Sequence, residues 1–235
     1  MDKQSMTRRG FQLAGVGAAF GAFGIGWRLR GASAESSAPE SGEDALSRLK
    51  AGNERFVAGK LRHPHLGNDW RKRLAGGQKP FATILGCSDS RVPPELLFDQ
   101  GFGDLFVVRV AGNVIDTDVA GSVEYGVDHL GTKLVVVMGH EGCGAVTAAL
   151  QPDEKLANEP NEIQALVGRI KPGLSAPRSE QPFEKRLTTA VEENVRTSVQ
   201  QLRKVPDLGA AEKANRTTII GCVYEIGSGR VRMLN

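Results

Sequence analysis

Four apolar stretches of five to eight residues punctuate the chain: Phe81 to Leu85, Leu105 to Val110, Lys133 to Gly139 and Thr217 to Tyr224. Each is apolar at almost every position rather than at alternate ones. That predicts strands buried on both faces, as in a parallel sheet. Between them, apolar residues recur at helical spacing. Leu46, Leu49, Phe56 and Val57 predict an amphipathic helix from Asp44 to Ala58, an arm packed on the main body or on a partner subunit. Residues 62–79 read as loop and short helix, and Pro80 starts the first strand. A short helix opens at Val92-Pro93-Pro94-Glu95, where the N–H that proline lacks would have no partner anyway. Ala111-Gly112-Asn113 reads as a tight connection. Asp118 offers an N-cap for a helix through Val123, Tyr125, Val127 and Leu130 that stops at Gly131. Another helix opens near Gly142, and residues 161–170 have a helical pattern. Leu187, Val191, Val195, Val199 and Leu202 predict one long helix from Phe183 to Val205, in which nothing suggests chemistry. Residues 151–160 and 172–182 read as polar loops, and Val231 to Leu234 as an edge strand. The alternation predicts an α/β fold: a parallel-core β-sheet flanked by helices, with an N-terminal helical arm and a C-terminal edge strand.

The first 34 residues break this pattern and read as a leader. Thr7-Arg8-Arg9-Gly10-Phe11 is a twin-arginine pattern, a Gly- and Ala-rich apolar stretch runs from Leu13 to Trp27, and Ala32-Ser33-Ala34 offers a small-residue cleavage site. The apolar stretch is short for a membrane span, although an uncleaved anchor stays open. The expectation is export of a folded protein to the periplasm by the twin-arginine machinery, leaving residues 35–235 as a single catalytic domain. The leader also changes the charge picture. It holds Lys3, Arg8, Arg9, Arg28 and Arg30 against Asp2, a net +4 within a whole-chain +3, so the remainder carries −1. The basic balance belongs to the leader and points to no nucleic acid.

Three cysteines, Cys87, Cys143 and Cys222, are too few and too odd in number for a disulfide framework, though a Cys87–Cys143 bridge is conceivable. Cys222 sits inside an apolar strand and reads as a small core residue. The other two stand at strand ends. The first strand stops at Gly86-Cys87-Ser88-Asp89-Ser90-Arg91 and the third at Gly139-His140-Glu141-Gly142-Cys143-Gly144. Ligands of open α/β sheets bind at such C-terminal ends. Cys87, His140 and Cys143 supply two sulfurs and a nitrogen to a tetrahedral zinc, with Asp89 or a water in the fourth position. Arg91 can take the Asp89 carboxylate bidentately, which leaves the fourth position to water. Zinc lowers the pKa of such a water to ~7, and Asp89 could accept its remaining proton and aim it at an electrophile. The thiolate of Cys143 would also gain from a helix N-terminus. His63, His65 and His129 lack partners at ligand spacing; the first two read as solvated loop residues, one of which could carry protons outward. Gly101 and Gly103 form no phosphate loop, since no Gly-Lys-Ser/Thr follows.

With these motifs the sequence resembles the β-class carbonic anhydrases over roughly residues 44–235, including Val107-Val108-Arg109, Ala111-Gly112-Asn113, Ser122 to Gly126 and Gly221-Cys222-Val223-Tyr224. The resemblance implies a β-carbonic-anhydrase-like fold with one zinc per subunit, a homodimer or higher even oligomer, and reversible hydration of carbon dioxide to bicarbonate. Asp89 and Arg91 would be catalytic. Gln78, Phe106, Tyr125 and Gly144 match positions that orient or line the substrate pocket, with Gln78 and Tyr125 supplied by the neighbouring subunit. One branch of the family closes its site with the aspartate and places tryptophan three residues before the first cysteine. Here that residue is Ile84, which groups the chain with the open branch. Two other readings stand beside this one: a hydrolase of carbonyl sulfide or carbon disulfide on the same scaffold, and a non-catalytic zinc-binding protein.

Overall fold

The computed structural model describes residues 39–175 and 180–234. The leader expected over residues 1–34 lies outside them. Among the described residues one sheet of five strands has the order β2-β1-β3-β4-β5. Its members are β1 (Ala82–Gly86), β2 (Leu105–Arg109), β3 (Leu134–His140), β4 (Thr218–Tyr224) and β5 (Val231–Leu234). The first four run parallel, and β5 adds an antiparallel edge through the turn that precedes it. β1 and β3 are buried at every position, as their unbroken apolar runs require.

The helices are α1 (Gly42–Val57), α2 (Asn68–Leu74), α3 (Pro94–Leu97), α4 (Thr117–Asp128), α5 (Gly144–Ala149), α6 (Asp153–Leu156), α7 (Asn161–Ile170), α8 (Phe183–Lys204) and α9 (Pro206–Lys213). Three details differ from the sequence expectation. The cap of α4 is Asp116, whose side chain accepts from the Val119 N–H, while Asp118 lies in the first turn. Either aspartate suits the positive end of a helix, and only the extended backbone at 116 decides which one caps. The stretch read as a polar loop after Gln151 contains α6, started by Pro152 at its N-cap. After α8 the chain turns at Val205 into α9, started by Pro206, a helix over residues to which the sequence reading assigned no element.

α8 packs on β3 and β4 because two strand residues have no side chain. A Cβ at Gly139 would lie 2.6 Å from Val195 Cγ2, and one at Gly221 would lie 2.6 Å from Val195 Cγ1. Val195, fully buried, therefore seats in a slot cut across two adjacent strands. α4 lies beside α8 on the same face of the sheet, where Gly126 approaches Thr83 and Phe106, side chains that share their face with Val135, Val137 and Gly139.

The slot gives a direct test. Gly221→Val forces α8 away from the sheet and should cost about 1–3 kcal/mol by overpacking. Chemical denaturation reads this as a lower midpoint with an unchanged slope, and unaltered stability would show that the slot is not close-packed.

Candidate metal centre

The order of the sheet decides where the site lies. From β1 the chain moves outward to β2, then returns to place β3 on the other side of β1. The gap beyond the C-terminal ends of β1 and β3 is the topological switch point, where open α/β sheets bind ligands. Gly86 pairs with Met138, so Cys87 and His140 emerge side by side from adjacent strands. Cys143 follows His140 by one tight turn, in which Gly142 takes a φ of 64°, and it forms the N-cap of α5. The ligand atoms of Cys87, His140 and Cys143 all lie within 4.8 Å of one another, and all three residues are buried.

These residues fit a zinc-type metal on two observations. His140 Nδ1 faces the Glu141 carbonyl at 2.9 Å. With its proton there, the lone pair falls on Nε2, which is buried and has no hydrogen-bond partner. A lone pair aimed into a buried space between two sulfurs is a ligand's arrangement. The second observation is electrostatic. The neighbouring Cys143 thiol, opposed by burial and helped by His140 and the amides of Gly112 and Asp89, pulls the Cys87 thiol down to about 4. Cys143 moves the other way, pushed up first by the Cys87 sulfur and then by burial, although the amides of Val146 and Ala145 pull it down. The two sulfurs share one negative charge comfortably, and two need a cation between them. For His140 burial works against the proton, but the adjacent Cys87 sulfur outweighs it and the net shift is upward. All three cysteines are free thiols, which removes the Cys87–Cys143 bridge. Cys222 is fully buried in β4 and its thiol is pushed up by that burial, as a core residue should be.

Asp89 is tied to Arg91 by three bonds. Arg91 Nε donates to Oδ1 at 2.9 Å, Nη2 donates to Oδ2 at 2.7 Å, and the Arg91 N–H donates to Oδ1 at 2.9 Å. The same oxygen Oδ2 stands 3.9 Å from His140 Nε2, so the carboxylate borders the three ligands while remaining in the guanidinium's grip. Arg91 is the largest cause holding the Asp89 carboxyl well below the usual carboxylate range.

The residues expected to line the substrate pocket are elsewhere in the chain. Gln78 is exposed and precedes β1, so the full strand, roughly 16 Å, separates it from Cys87. Tyr125 is 47% exposed on α4, with its ring 6.0 Å from Phe106 and 4.9 Å from His129. Phe106 lies three residues before the end of β2, and Gly144 is the exposed first residue of α5. His65 is not a solvated loop residue. Its Nδ1 lies 2.8 Å from Asp104 Oδ2 and its ring stacks on Trp70 at 3.8 Å. His63, by contrast, is exposed as expected, and only its backbone N–H is engaged, donating to the buried Asp99 at 3.0 Å.

Sequence reasoning passed over the residues that wrap Cys87. Arg109, at the end of β2, donates to the Cys87 carbonyl at 2.9 Å and to the Asp89 carbonyl at 2.6 Å. A 3₁₀ turn, Ala111–Asn113, follows, and the Gly112 N–H donates to Cys87 Sγ at 3.3 Å. Gly112 takes a φ of 68°, and a Cβ there would lie 2.8 Å from Ile170 Cδ1, so only glycine suits the turn. The one visible signal was the Arg-x-Ala-Gly-Asn string itself, which carries no meaning until the turn is seen beside the sulfur.

Two cysteine sulfurs, an imidazole and a tethered carboxylate at the switch point make an α/β protein with three residues that could hold a metal and a carboxylate beside them. Comparison with known proteins gives the family. The carbonic anhydrase family profile matches residues 82–231. Carbonic anhydrase 2 of Mycobacterium tuberculosis is 42% identical over 191 residues, 79% of this chain and 89% of that protein. The carbonic anhydrase of Mycolicibacterium smegmatis is 40% identical over 190 residues, 80% and 91% of the two chains. Among solved structures, the β-carbonic anhydrase CcaA superposes with a TM-score of 0.67 at 27% identity, covering 81% of this chain and 87% of that one. The Coccomyxa β-carbonic anhydrase in complex with acetazolamide gives 0.66 at 28% identity, covering 80% and 86%. The chain belongs to the β-class carbonic anhydrases, and as a member of that family it is a carbonate dehydratase.

Two measurements follow from the site. Elemental analysis should find metal bound to the purified chain and little or none in Cys143→Ser or His140→Ala, with retention in both variants counting against the three-residue ligand set. Carboxyl ¹³C NMR should find Asp89 still ionised at about pH 3, below the usual carboxylate pKa of about 3.9, and titrating near that value in Arg91→Gln. The sign is fixed by the lowered folded-state pKa: the pair's stabilisation is full above the ordinary value and fades as pH falls towards the folded one.

Proposed function

We propose that this enzyme hydrates carbon dioxide reversibly to bicarbonate at a zinc ion held by Cys87, His140 and Cys143, with the fourth position open at neutral pH. The observation that carries this reading is the threefold tether of Asp89 by Arg91, with the carboxylate still only 3.9 Å from His140 Nε2. Bound zinc supplies a Lewis acid that makes a water nucleophilic near neutrality. The chain's own residues do the rest. The two sulfurs and Nε2 would hold the metal and leave room for a water beside them. Asp89, kept ionised by Arg91, accepts a hydrogen bond at its carboxylate oxygen and so fixes which lone pair of the reacting water faces the substrate carbon. One O–C bond forms, one C=O π bond opens onto oxygen, and a proton leaves to buffer. Storing a metal would need neither Asp89 nor Arg91, which favours catalysis over a binding role.

Gln78, Phe106, Tyr125 and Gly144 belong in this reading as substrate-lining residues, with Gln78 and Tyr125 donated across a dimer. The strand length between Gln78 and Cys87 supports a donor in another subunit, and the half-exposed Tyr125 supports a contact surface on α4. The β-carbonic anhydrases of Sordaria macrospora, 26% identical, are described as tetrameric, in keeping with an even oligomer here. Export rests on the twin-arginine pattern and the small-residue site before residue 35. Among the described residues no helix is long and apolar enough to cross a membrane. Fractionation of cells producing the tagged chain, with and without Arg8→Lys and Arg9→Lys, tests export directly: equal distribution of both forms counts against it.

Asp89→Asn tests the mechanism. Bound zinc should stay at the wild-type level while carbon dioxide hydration in stopped flow falls by about 10²-fold or more, the usual scale of a lost proton-handling group. Unchanged activity at full zinc overturns the role of Asp89. Wild-type activity that appears only at distinctly alkaline pH means that Asp89 closes the site. Full zinc with no hydration, but turnover of carbonyl sulfide or carbon disulfide, moves the substrate to the analogue.

A further inference from the structure

The sheet-facing side of α8 is apolar at Val191, Val195, Val199 and Leu202, yet two polar residues are buried on the same helix: Asn194, 4% exposed, and Ser198, 2% exposed. Burying an amide or a hydroxyl is unfavourable unless it is hydrogen-bonded, and both are. Asn194 Nδ2 donates to the Gly112 carbonyl at 2.8 Å, and Ser198 Oγ donates to the Asn113 carbonyl at 3.2 Å. Both therefore grip the turn whose Gly112 N–H donates to Cys87 Sγ. We propose that Asn194 is a positioning residue for the metal centre: it holds the Gly112 turn so that the Gly112 N–H stays on the Cys87 sulfur, and through that N–H it sets how tightly the centre binds its metal. This rests on Cys87 being a metal ligand.

The turn needs such a grip. Gly112 and Asn113 both take left-handed backbone conformations, with φ of 68° and 45°. Asn113 carries a side chain into that region, a strain that persists only when the surroundings impose it. The Val110 N–H donates to the Gly86 carbonyl and the Asn113 N–H to the Val110 carbonyl, which fix the two ends of the turn. Gly112, at its apex, has no side chain to fix its own dihedrals. The carbonyl that Asn194 holds and the N–H that reaches the sulfur lie on either side of the Gly112 Cα, in different peptide units. The coupling is thus geometric: with both ends of the turn held, fixing the carbonyl restricts the Gly112 dihedrals and with them the direction of the N–H. A hydrogen bond on a thiolate orients its lone pairs and draws off part of the charge it gives to a metal, the same kind of outer-shell control that carboxylates exert on ligating histidines.

Asn194→Asp tests this, because it keeps the shape and removes the donor; Asn194→Ala serves if the aspartate variant does not fold. Zinc affinity is measured by competition with a chromogenic chelator, and the sulfur-to-metal charge-transfer band is recorded on the cobalt(II)-substituted protein. The expected result is a loss of affinity of about tenfold or more with a displaced band, the usual scale for an outer-shell partner. Affinity within twofold of wild type and an unmoved band in a folded variant overturn the proposal, whatever happens to the Tm. Leu49→Ala opens a cavity under α1, on an element that holds neither the turn nor Asn194, and should keep wild-type affinity; an equal loss there assigns the effect to general destabilisation and also overturns it. A wild-type chain that takes up no zinc overturns the underlying ligand assignment instead, so the two failures are distinct.

Discussion

Two cysteine sulfurs and an imidazole nitrogen, buried within 4.8 Å of one another, cannot all be charged or all be satisfied by the protein alone. The first sulfur to lose its proton lifts the pKa of the second, and His140 Nε2 is left without a partner. A dication resolves both conditions at once, by neutralising the sulfurs and taking the lone pair. The surrounding structure serves to keep that unfavourable trio assembled, and the sheet order, the tight turn at Gly142 and the grip on Cys87 are best understood from it.

The assembly is reached by layers of constraint rather than by one strong contact. Parallel pairing of β1 with β3 brings Cys87 and His140 to the same edge. Arg109 then holds the backbone on both sides of Ser88, and the Gly112 turn covers the Cys87 sulfur. Beneath the turn lies α8, which sits close enough to reach it because Gly139 and Gly221 carry no side chains where Val195 packs. Packing on the sheet and geometry at the sulfur are therefore linked through one helix. Asp89 lies outside this rigid shell and is fixed by a single charge-assisted pairing with Arg91. That division suits the proposed chemistry, in which the three metal-holding residues stay fixed while the carboxylate remains available to a reacting water.

Much of this was legible in the chain. The apolar runs located β1 to β4 to within a residue or two, since a strand buried on both faces leaves a continuous signal. The grouping of Cys87, His140 and Cys143 was legible because cysteine and histidine at strand ends have few other uses, and the Asp89–Arg91 pair because residues two apart in a turn meet without help from elsewhere. What could not be read depended on contacts distant in sequence. The cap at Asp116 rather than Asp118 turned on one extended residue. His65 looked solvated because Asp104 and Trp70, which hold it, are partners only after the segment folds back. The long helix looked empty of chemistry because Asn194 and Ser198 meet a turn 82 and 85 residues away.

By itself, then, the sequence determined the class of sheet, the residues that would bind a metal and the local pairing of the carboxylate. Each follows from side-chain chemistry or from neighbours a few positions apart, where the covalent chain enforces proximity. The tertiary structure alone decided that β1 and β3 would be neighbours, and that a helix nearly two hundred residues into the chain would hold the turn over the Cys87 sulfur. Those outcomes depend on which strand order closes the core and on how deeply each group is buried there. Neither is fixed until the whole apolar surface of the chain has been brought together.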